Sequence, residues 1–358
     1  MNAHGADDLR QMQSLPLEAK IRMTKERIEA WHDNWTRFEI YDKATGKTRF
    51  TTIDTRDVFA EPKMKEIELI QSAFPGQVYV SFSGGKDSTV LKHIIDSMYD
   101  DVPAVFVNTG LEYPEIQQFV REVKAGKYGC FNPDVEILRP EMRFDEVIKI
   151  YGYPVASKEL SRKIQYAKQG RPWAMKYIDG TAVDKEGRPS RYAVSKRWMK
   201  LLDAPFEVSA YCCEVMKKRP VSKYGKETGR KPIVGTLACE SRIREQAWMR
   251  TGCNAFDNKK QKSQPMAFWT ENDVLQYIVE KDLPYASVYG EIKQGENGKY
   301  YTTGADRTGC MFCMFGCHLE KEPNRFQRMK VTHPTQYKYC MDKLGLKEVL
   351  DYIGVPHD

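Results

Sequence analysis

No stretch of eighteen apolar residues occurs in this chain of 358, and its N-terminus lacks the apolar core of a secretory signal, so neither a membrane-spanning helix nor export is expected. Internal repeats and low-complexity linkers are absent as well, which leaves one large α/β domain with flanking elements, or two domains. The cysteines number nine, an odd count that does not resolve into a disulfide framework, and the chain is expected to be cytoplasmic and reduced. Two glycine signatures of nucleotide binding are missing: the G-x-G-x-x-G of dinucleotide folds and the four-residue gap between the glycines of a Walker loop. The formal net charge of +7 is modest for this length and does not by itself demand a polyanionic partner.

What is present instead is Ser83-Gly84-Gly85-Lys86-Asp87-Ser88, directly after the apolar run Val78-Tyr79-Val80-Ser81-Phe82. Adjacent glycines let the backbone turn tightly and aim successive N–H groups at an anion. Residues 89–95 read as a helix whose N-terminal N–H groups and dipole add to that grip. Lys86 brings a mobile charge, and Ser83 and Ser88 bring hydroxyls. Ala104–Val107 and Val135–Leu138 read as further buried strands, and Pro114–Lys124 as a helix between them. Such alternation predicts a parallel sheet with its ligand at the carboxyl ends of the strands.

The hexapeptide with its strand resembles the PP-loop of ATP pyrophosphatases, which split ATP into AMP and pyrophosphate, usually to adenylate a substrate. That resemblance implies an adenine nucleotide α-hydrolase-like fold: α/β, doubly wound, with a mainly parallel sheet. It implies that Ser81, Ser83, Gly84, Gly85, Lys86, Asp87 and Ser88 hold ATP with Mg²⁺. It also implies that Asn108, Thr109 and Gly110 line the adenosine pocket.

Cys212-Cys213 and the later Cys310-Met311-Phe312-Cys313, with Cys317 close behind, have the spacing of a metal site. Four thiolates suit zinc or a [4Fe–4S] cube. Adjacent cysteines diverge, which suits a cluster of several irons better than one zinc. Cys130, Cys239, Cys253 and Cys340 are each expected to be small buried hydrophobes.

Residues Cys212-Cys213-Glu214-Val215-Met216-Lys217-Lys218-Arg219-Pro220 resemble the C-C-x-x-x-(R/K)-K-x-x-P segment of assimilatory adenylylsulfate reductases, and Thr308–Cys313 resembles their second cysteine pair. Gly235 to Arg244 and the segment Pro265 to Tyr277 are similar to the intervening strand end and helix. The chain is thereby identified as a member of the wider phosphoadenylylsulfate reductase family. Membership implies a [4Fe–4S] cluster on Cys212, Cys213, Cys310 and Cys313, and adds Gly235 and Arg242 to the nucleotide site. Two departures matter. Reductases acting on a preformed sulfated nucleotide have typically lost the Gly-Gly-Lys-Asp core, which this chain keeps. They also carry a tail thiol in a Cys-Gly-x-His setting, whereas Tyr352–Asp358 has no cysteine. The combination looks more like the sulfur-inserting relatives of DNA phosphorothioation and tRNA thiolation. It implies Lys86 and Asp87 as catalytic residues and a cysteine desulfurase as sulfur donor, with DNA ahead of tRNA as substrate, and the proximity of Cys317 to the quartet adds it as the catalytic sulfur holder. Reduction of a sulfated adenosine nucleotide, supplied by thioredoxin, stays the alternative.

Charge distribution does not separate the two readings, because small sulfated nucleotides are polyanions too. Residues 157–200 hold twelve Lys or Arg against four acidic residues, interleaved with Tyr166, Trp173, Tyr177, Tyr192 and Trp198, the mixture of a nucleic-acid surface or of a solvated insert anchored by its aromatics. Leu17, Ile21, Ile28 and Trp31 predict an amphipathic helix over 15–35, followed by a polar hairpin over 40–57 around Thr45-Gly46. The expected layout is an N-terminal helix and hairpin extension over 1–58, a nucleotide-binding domain over 59–255 with the basic insert 157–200, and a helical iron–sulfur region over 256–358. No membrane association is expected, and homo-oligomerisation stays open.

Overall fold

The computed structural model describes residues 4–43, 45–54 and 67–358 and divides into two compact units. The first runs to Asn108 and adds Tyr113–Leu138 and Val221–Thr308; the second comprises Thr109–Glu112, Arg139–Pro220 and Gly309–Asp358. No helix among the described residues is long and apolar enough to cross a membrane.

The first unit is built on a six-stranded sheet in the spatial order Val135–Leu138, Ala104–Val107, Val78–Ser81, Lys231–Val234, Lys262–Ser263, Asn254–Ala255. Pairing is parallel throughout except at the last strand, so the fold is α/β with a mainly parallel sheet, as expected. Strand period two sends Val78 and Val80 to one face, where they are buried with Leu91, Ile94 and Val120. It sends Tyr79 to the other, where its ring meets Tyr224 edge-on at 5.1 Å. The chain steps from 78–81 to 104–107 to 135–138 on one side, then returns with 231–234 on the other. That reversal makes the carboxyl ends of 78–81 and 231–234 the crevice of the sheet.

The amphipathic helix forms as Leu17–Asn34, and the hairpin forms as Trp35–Asp42 with Lys47–Asp54, joined antiparallel by Ile67–Pro75. Residues 55–57 of the predicted hairpin lie outside the described residues. The helix is integral to the unit: buried Lys20 reaches Asp273 at 2.7 Å, and Trp269 Nε1 donates to Thr24 Oγ1 at 2.9 Å. The helix expected from Pro265 begins only at Glu271. Thr270 and Asp273 cap it reciprocally, Thr270 N–H donating to the Asp273 carboxylate at 2.6 Å, and this box fixes the start. Cys253 is buried, as expected, but Cys130 and Cys239 are exposed. Cys239 sits on the single turn Ala238–Glu240, where Leu237 and Ala238 take the buried positions.

The second unit is mostly helical, with Phe144–Tyr151, Lys158–Lys168 and Pro172–Ile178 early and Arg325–Thr332 and Leu346–Ile353 late. A short parallel pairing, Met314 with Val155 and Phe315 with Ala156, fixes the segment between Cys313 and Cys317. Cys340 is buried as expected. The last residues are docked: Val355 and His357 are buried, and His357 Nε2 stands 2.9 Å from Asp351 Oδ1.

Candidate nucleotide site and cysteine quartet

The loop after Val78–Ser81 opens on a cleft of about 240 Å³ at the sheet's crevice. Of the residues expected at the nucleotide site, Ser81, Ser83, Gly85, Lys86, Asp87, Ser88 and Gly235 line it, and Gly84 does not. Gly84 takes φ +71, and a Cβ there would stand 2.8 Å from Val120 Cγ2 and 2.9 Å from Ile116 Cγ2. At Gly235 a Cβ would meet the Asp87 carbonyl oxygen at 3.0 Å, so the second strand end must be bare for the loop to lie where it does. The loop is braced internally: Ser83 N–H donates to Ser88 Oγ at 3.1 Å, and Ser88 Oγ donates to Gly85 O at 2.9 Å.

Lys86 is buried, donates to Asp306 O at 2.9 Å and lies 3.0 Å from Glu271 Oε1. Burial opposes its charge, but Asp87, Glu271 and Tyr289 outweigh that and hold its pKa above the usual lysine value. Asp87 is pushed the other way: burial, with help from Glu271 and against Lys86 and Arg307, raises its pKa above the ordinary carboxyl value. Its Oδ1 is shielded from water and has no hydrogen-bond partner. A buried carboxylate oxygen lining the cleft is a hard oxygen donor of the kind that fits Mg²⁺. Sequence reasoning missed three charged lining groups, Glu240, Arg244 and Arg307, and Tyr289. Glu240 pairs with both Arg244 and Arg307, while Tyr289 OH accepts from Lys86 N–H at 3.2 Å and contacts Thr308 Oγ1 at 2.7 Å. The nearest signal was the run Glu240-Ser241-Arg242-Ile243-Arg244, in which Arg242 was chosen. The cleft is lined by Arg244, two positions on, and Arg242 is not among its lining residues. Asn108 is held at its strand end, its N–H donating to Leu138 O at 2.9 Å, and does not line the cleft either.

Thr109 and Gly110 belong to the second unit. Thr109 is committed to Glu112, its hydroxyl donating at 2.7 Å and its N–H at 3.0 Å. Glu112 in turn lies 3.6 Å from Lys217 Nζ. Burial opposes the charge on Lys217, but Cys310 and Glu112 overcome it and raise its pKa. Lys217 thus faces Cys310 and Glu112.

Cys212 and Cys213 open a helical run whose next five residues, Glu214–Lys218, form a π-helical turn. Burial raises the thiol pKa of Cys212, and the neighbouring Cys213, Cys310 and Cys313 raise it further. Burial likewise pushes Cys310 up to about 11, against Lys217. The four thiols therefore feel one another electrostatically, although among the described residues no group of three or more His, Cys, Asp or Glu is drawn together around a single metal ion. One zinc would hold its sulfurs about 3.8 Å apart (from Zn–S ~2.3 Å). A cluster with one thiolate per iron spreads its sulfurs wider, and four thiols are the soft donor set that such a cluster takes. Arg325 donates to Cys313 O at 2.8 Å beside it. Cys317 is buried, donates to Met314 O at 3.0 Å, and burial pushes its pKa up to about 11 against Arg325.

In the insert, ten of the twelve cations between 157 and 200 are exposed, with only Lys163 buried and Lys168 half-buried. Its aromatics pack among themselves, Tyr166 to Trp173 at 5.4 Å and Trp173 to Tyr177 at 6.3 Å. Arg162, Arg191 and Arg197 lie over Trp173, Tyr192 and Trp198.

The model of the phosphoadenosine phosphosulfate reductase domain matches residues 77–173 and 174–315. The chain belongs to this family. Among relatives of the family member described here, an uncharacterised protein of Methanocaldococcus jannaschii is 25% identical over 268 residues, covering 75% of this chain and 47% of that protein. A second uncharacterised protein of the same organism is 26% identical over 240 residues, 66% of this chain and 36% of its own length. The chain thus spans less than half the length of these two relatives. The phosphoadenosine 5′-phosphosulfate reductase of Alkalilimnicola ehrlichii is 20% identical over 236 residues, 66% of this chain and 74% of that enzyme. A solved phosphoadenylyl-sulfate reductase from Candida auris, in a phosphate complex, aligns with TM-score 0.35 and 17% identity over 60% of this chain and 76% of that one.

Proposed function

We propose that this family member is an ATP-dependent sulfurtransferase, forming AMP and pyrophosphate, that inserts sulfur into nucleic acid, DNA ahead of tRNA. The observation that carries this reading is the intact loop in one cleft with Lys86 and Asp87, whose buried Oδ1 makes no hydrogen bond and lies 3.9 Å from Lys86 Nζ, machinery for holding pyrophosphate that a preformed sulfated nucleotide does not need.

In this reading Gly84, Gly85, Lys86 and Ser88 hold the β- and γ-phosphates, and Asp87 binds the Mg²⁺ that neutralises them. A non-bridging oxygen of the substrate attacks the α-phosphorus of ATP, forming one O–P bond as the bond to pyrophosphate breaks. Arg244 and Arg307, released from Glu240, neutralise charge developing on the phosphates. The adenylated centre is then attacked by the outer sulfur of a persulfide on Cys317, with AMP leaving, and an external dithiol reduces the resulting S–S bond, becoming a disulfide as the thiolated product and Cys317 are freed. Cys212, Cys213, Cys310 and Cys313 would hold a [4Fe–4S] cluster, which supplies soft sulfur and electron chemistry when bound. Cys317 is assigned as a sulfur carrier loaded by a cysteine desulfurase. Loading requires the Cys317 thiolate to attack the donor's persulfide as the donor thiolate leaves, and its raised pKa leaves little thiolate near pH 7, so the donor must also supply a base that takes the Cys317 proton.

The test uses anaerobically purified protein with labelled ATP, alone and with DNA or tRNA, following pyrophosphate and AMP. Nucleic-acid-stimulated release supports the reading and names the substrate. A second reading, reduction of adenylylsulfate or its 3′-phosphate, is favoured by similarity to the Alkalilimnicola reductase. Thioredoxin-dependent sulfite release without ATP turnover would establish it instead.

A further inference from the structure

The second unit carries a pocket of about 220 Å³ that no step above uses. Its walls include Trp198 and Tyr192, and its polar groups include Glu159, Lys163, Ser195 and His318. The volume lies below the ~300–1,000 Å³ of sites for drug-sized ligands and suits a single ring system.

Charge decides what kind of ring. Lys163, the buried cation, is already spent: its Nζ lies 2.7 Å from Glu159 Oε1, donates to Tyr192 O at 2.6 Å and sits 4.3 Å over the Tyr177 ring. A bare phosphate would find no free positive charge inside. The unused hydrogen-bonding capacity is neutral or acceptor-rich. Nδ1 of His318 is shielded from water and has no partner, while its ring meets Trp198 edge-on at 4.9 Å. Ser195 makes no side-chain cap bond to the short helix it precedes. The exposed cations stand outside, Arg191 over Tyr192, to whose hydroxyl it also donates at 3.0 Å, and Arg197 over Trp198, where a backbone phosphate would follow a base held within. Aromatic walls, a neutral polar interior and a cationic rim match a nucleobase that enters edge-first with its phosphates outside.

We propose that this pocket receives one unstacked nucleobase of a single-stranded polynucleotide, with Tyr192 as its stacking wall. The inference rests on the nucleic-acid reading above and specifies how the strand is held. His318 follows Cys317 directly, so a base seated here lies next to the proposed sulfur carrier.

The test measures binding of a single-stranded DNA oligonucleotide and of an abasic strand of the same length. Wild-type protein should favour the base-bearing strand. Tyr192 is half exposed, which makes its truncation tolerable to the fold. Tyr192→Ala should shrink the preference roughly 5- to 100-fold, from stacking worth ~1–3 kcal/mol per base, without changing affinity for the abasic strand. Tyr192→Phe should retain it. Equal binding of both strands by the wild type, or a preference unmoved by Tyr192→Ala, overturns the pocket while leaving the nucleic-acid reading standing. Binding of free AMP with no binding of either strand overturns both.

Discussion

Two thiols a few residues apart, Cys310 and Cys317, have different surroundings. Cys310 faces Lys217 and shares its electrostatic neighbourhood with Cys212 and Cys313. Cys317 hydrogen-bonds to Met314 O and faces Arg325. Cys310→Ala should therefore yield colourless protein with iron content near background, whereas Cys317→Ala should keep the brown absorption and lose sulfur transfer. A bleached Cys317→Ala protein would exchange the two assignments. Asp87 offers a different test. Its folded pKa lies above its unfolded value, so the native state prefers the proton, and ionisation costs stability at neutral pH. That cost is complete above the folded pKa and fades as pH falls towards the ordinary 3.8. Asp87→Asn should thus stabilise the nucleotide-free protein at pH 7 by roughly 0.5–2 kcal/mol, the usual gain from relieving a functional site. The gain in melting temperature should shrink with acidification, and pyrophosphate release should be abolished. A destabilised Asp87→Asn protein would show instead that the carboxylate is a structural partner of Lys86.

At the scale of the element, the strand–loop–helix unit was readable because each part is specified locally. Val78–Ser81 alternates between two buried faces, Gly84 adopts a left-handed turn, and the helix follows at once. Ala104–Val107, Pro114–Lys124 and Val135–Leu138 were equally plain, being short apolar runs separated by a strongly amphipathic helix. Side chains arriving from afar were not readable. Tyr289 and Arg307 reach the cleft from positions with no motif of their own, Thr308 reads only as the start of the second cysteine pair, and Arg244 differs from Arg242 only by its phase on the helix Arg242–Thr251. Nor did spacing show that Asn108 and Thr109 part company between two units. Two glycines separate stability from function within the element. Gly84→Ala combines a left-handed backbone with contacts on Val120 and Ile116, and should cost roughly 2–4 kcal/mol in denaturant unfolding. Gly235→Ala presses on the backbone of Asp87 and Ser88 instead. It should displace the loop by a few tenths of an ångström, weakening ATP binding about tenfold or more with a smaller loss of stability. Equal losses in both variants would mean that the loop's position does not govern its affinity.

For the whole molecule, a net charge of +7 conceals a segment, residues 157–200, whose own excess of positive charge is larger. Its exposed cations and their aromatic partners distinguish the two functional readings by salt dependence. A strand of nucleic acid carries condensed counterions that are released on binding, so log Kobs falls with log salt by about 0.7–0.9 per phosphate neutralised. A small sulfated nucleotide has too few charges to produce a steep slope. Binding of DNA should therefore weaken by several powers of ten between 50 and 200 mM salt if roughly six or more phosphates are engaged. Replacing Arg162, Arg191 and Arg197 together with alanine should flatten the slope by about two to three units, one contact for each guanidinium. Stacking is insensitive to salt. Any affinity lost because Trp173, Tyr192 and Trp198 lose the cations over them will shift the line without tilting it. A parallel shift alone would mean that these arginines serve the insert's aromatics. A flattened line would place them on phosphates, and with them the strand on the second unit.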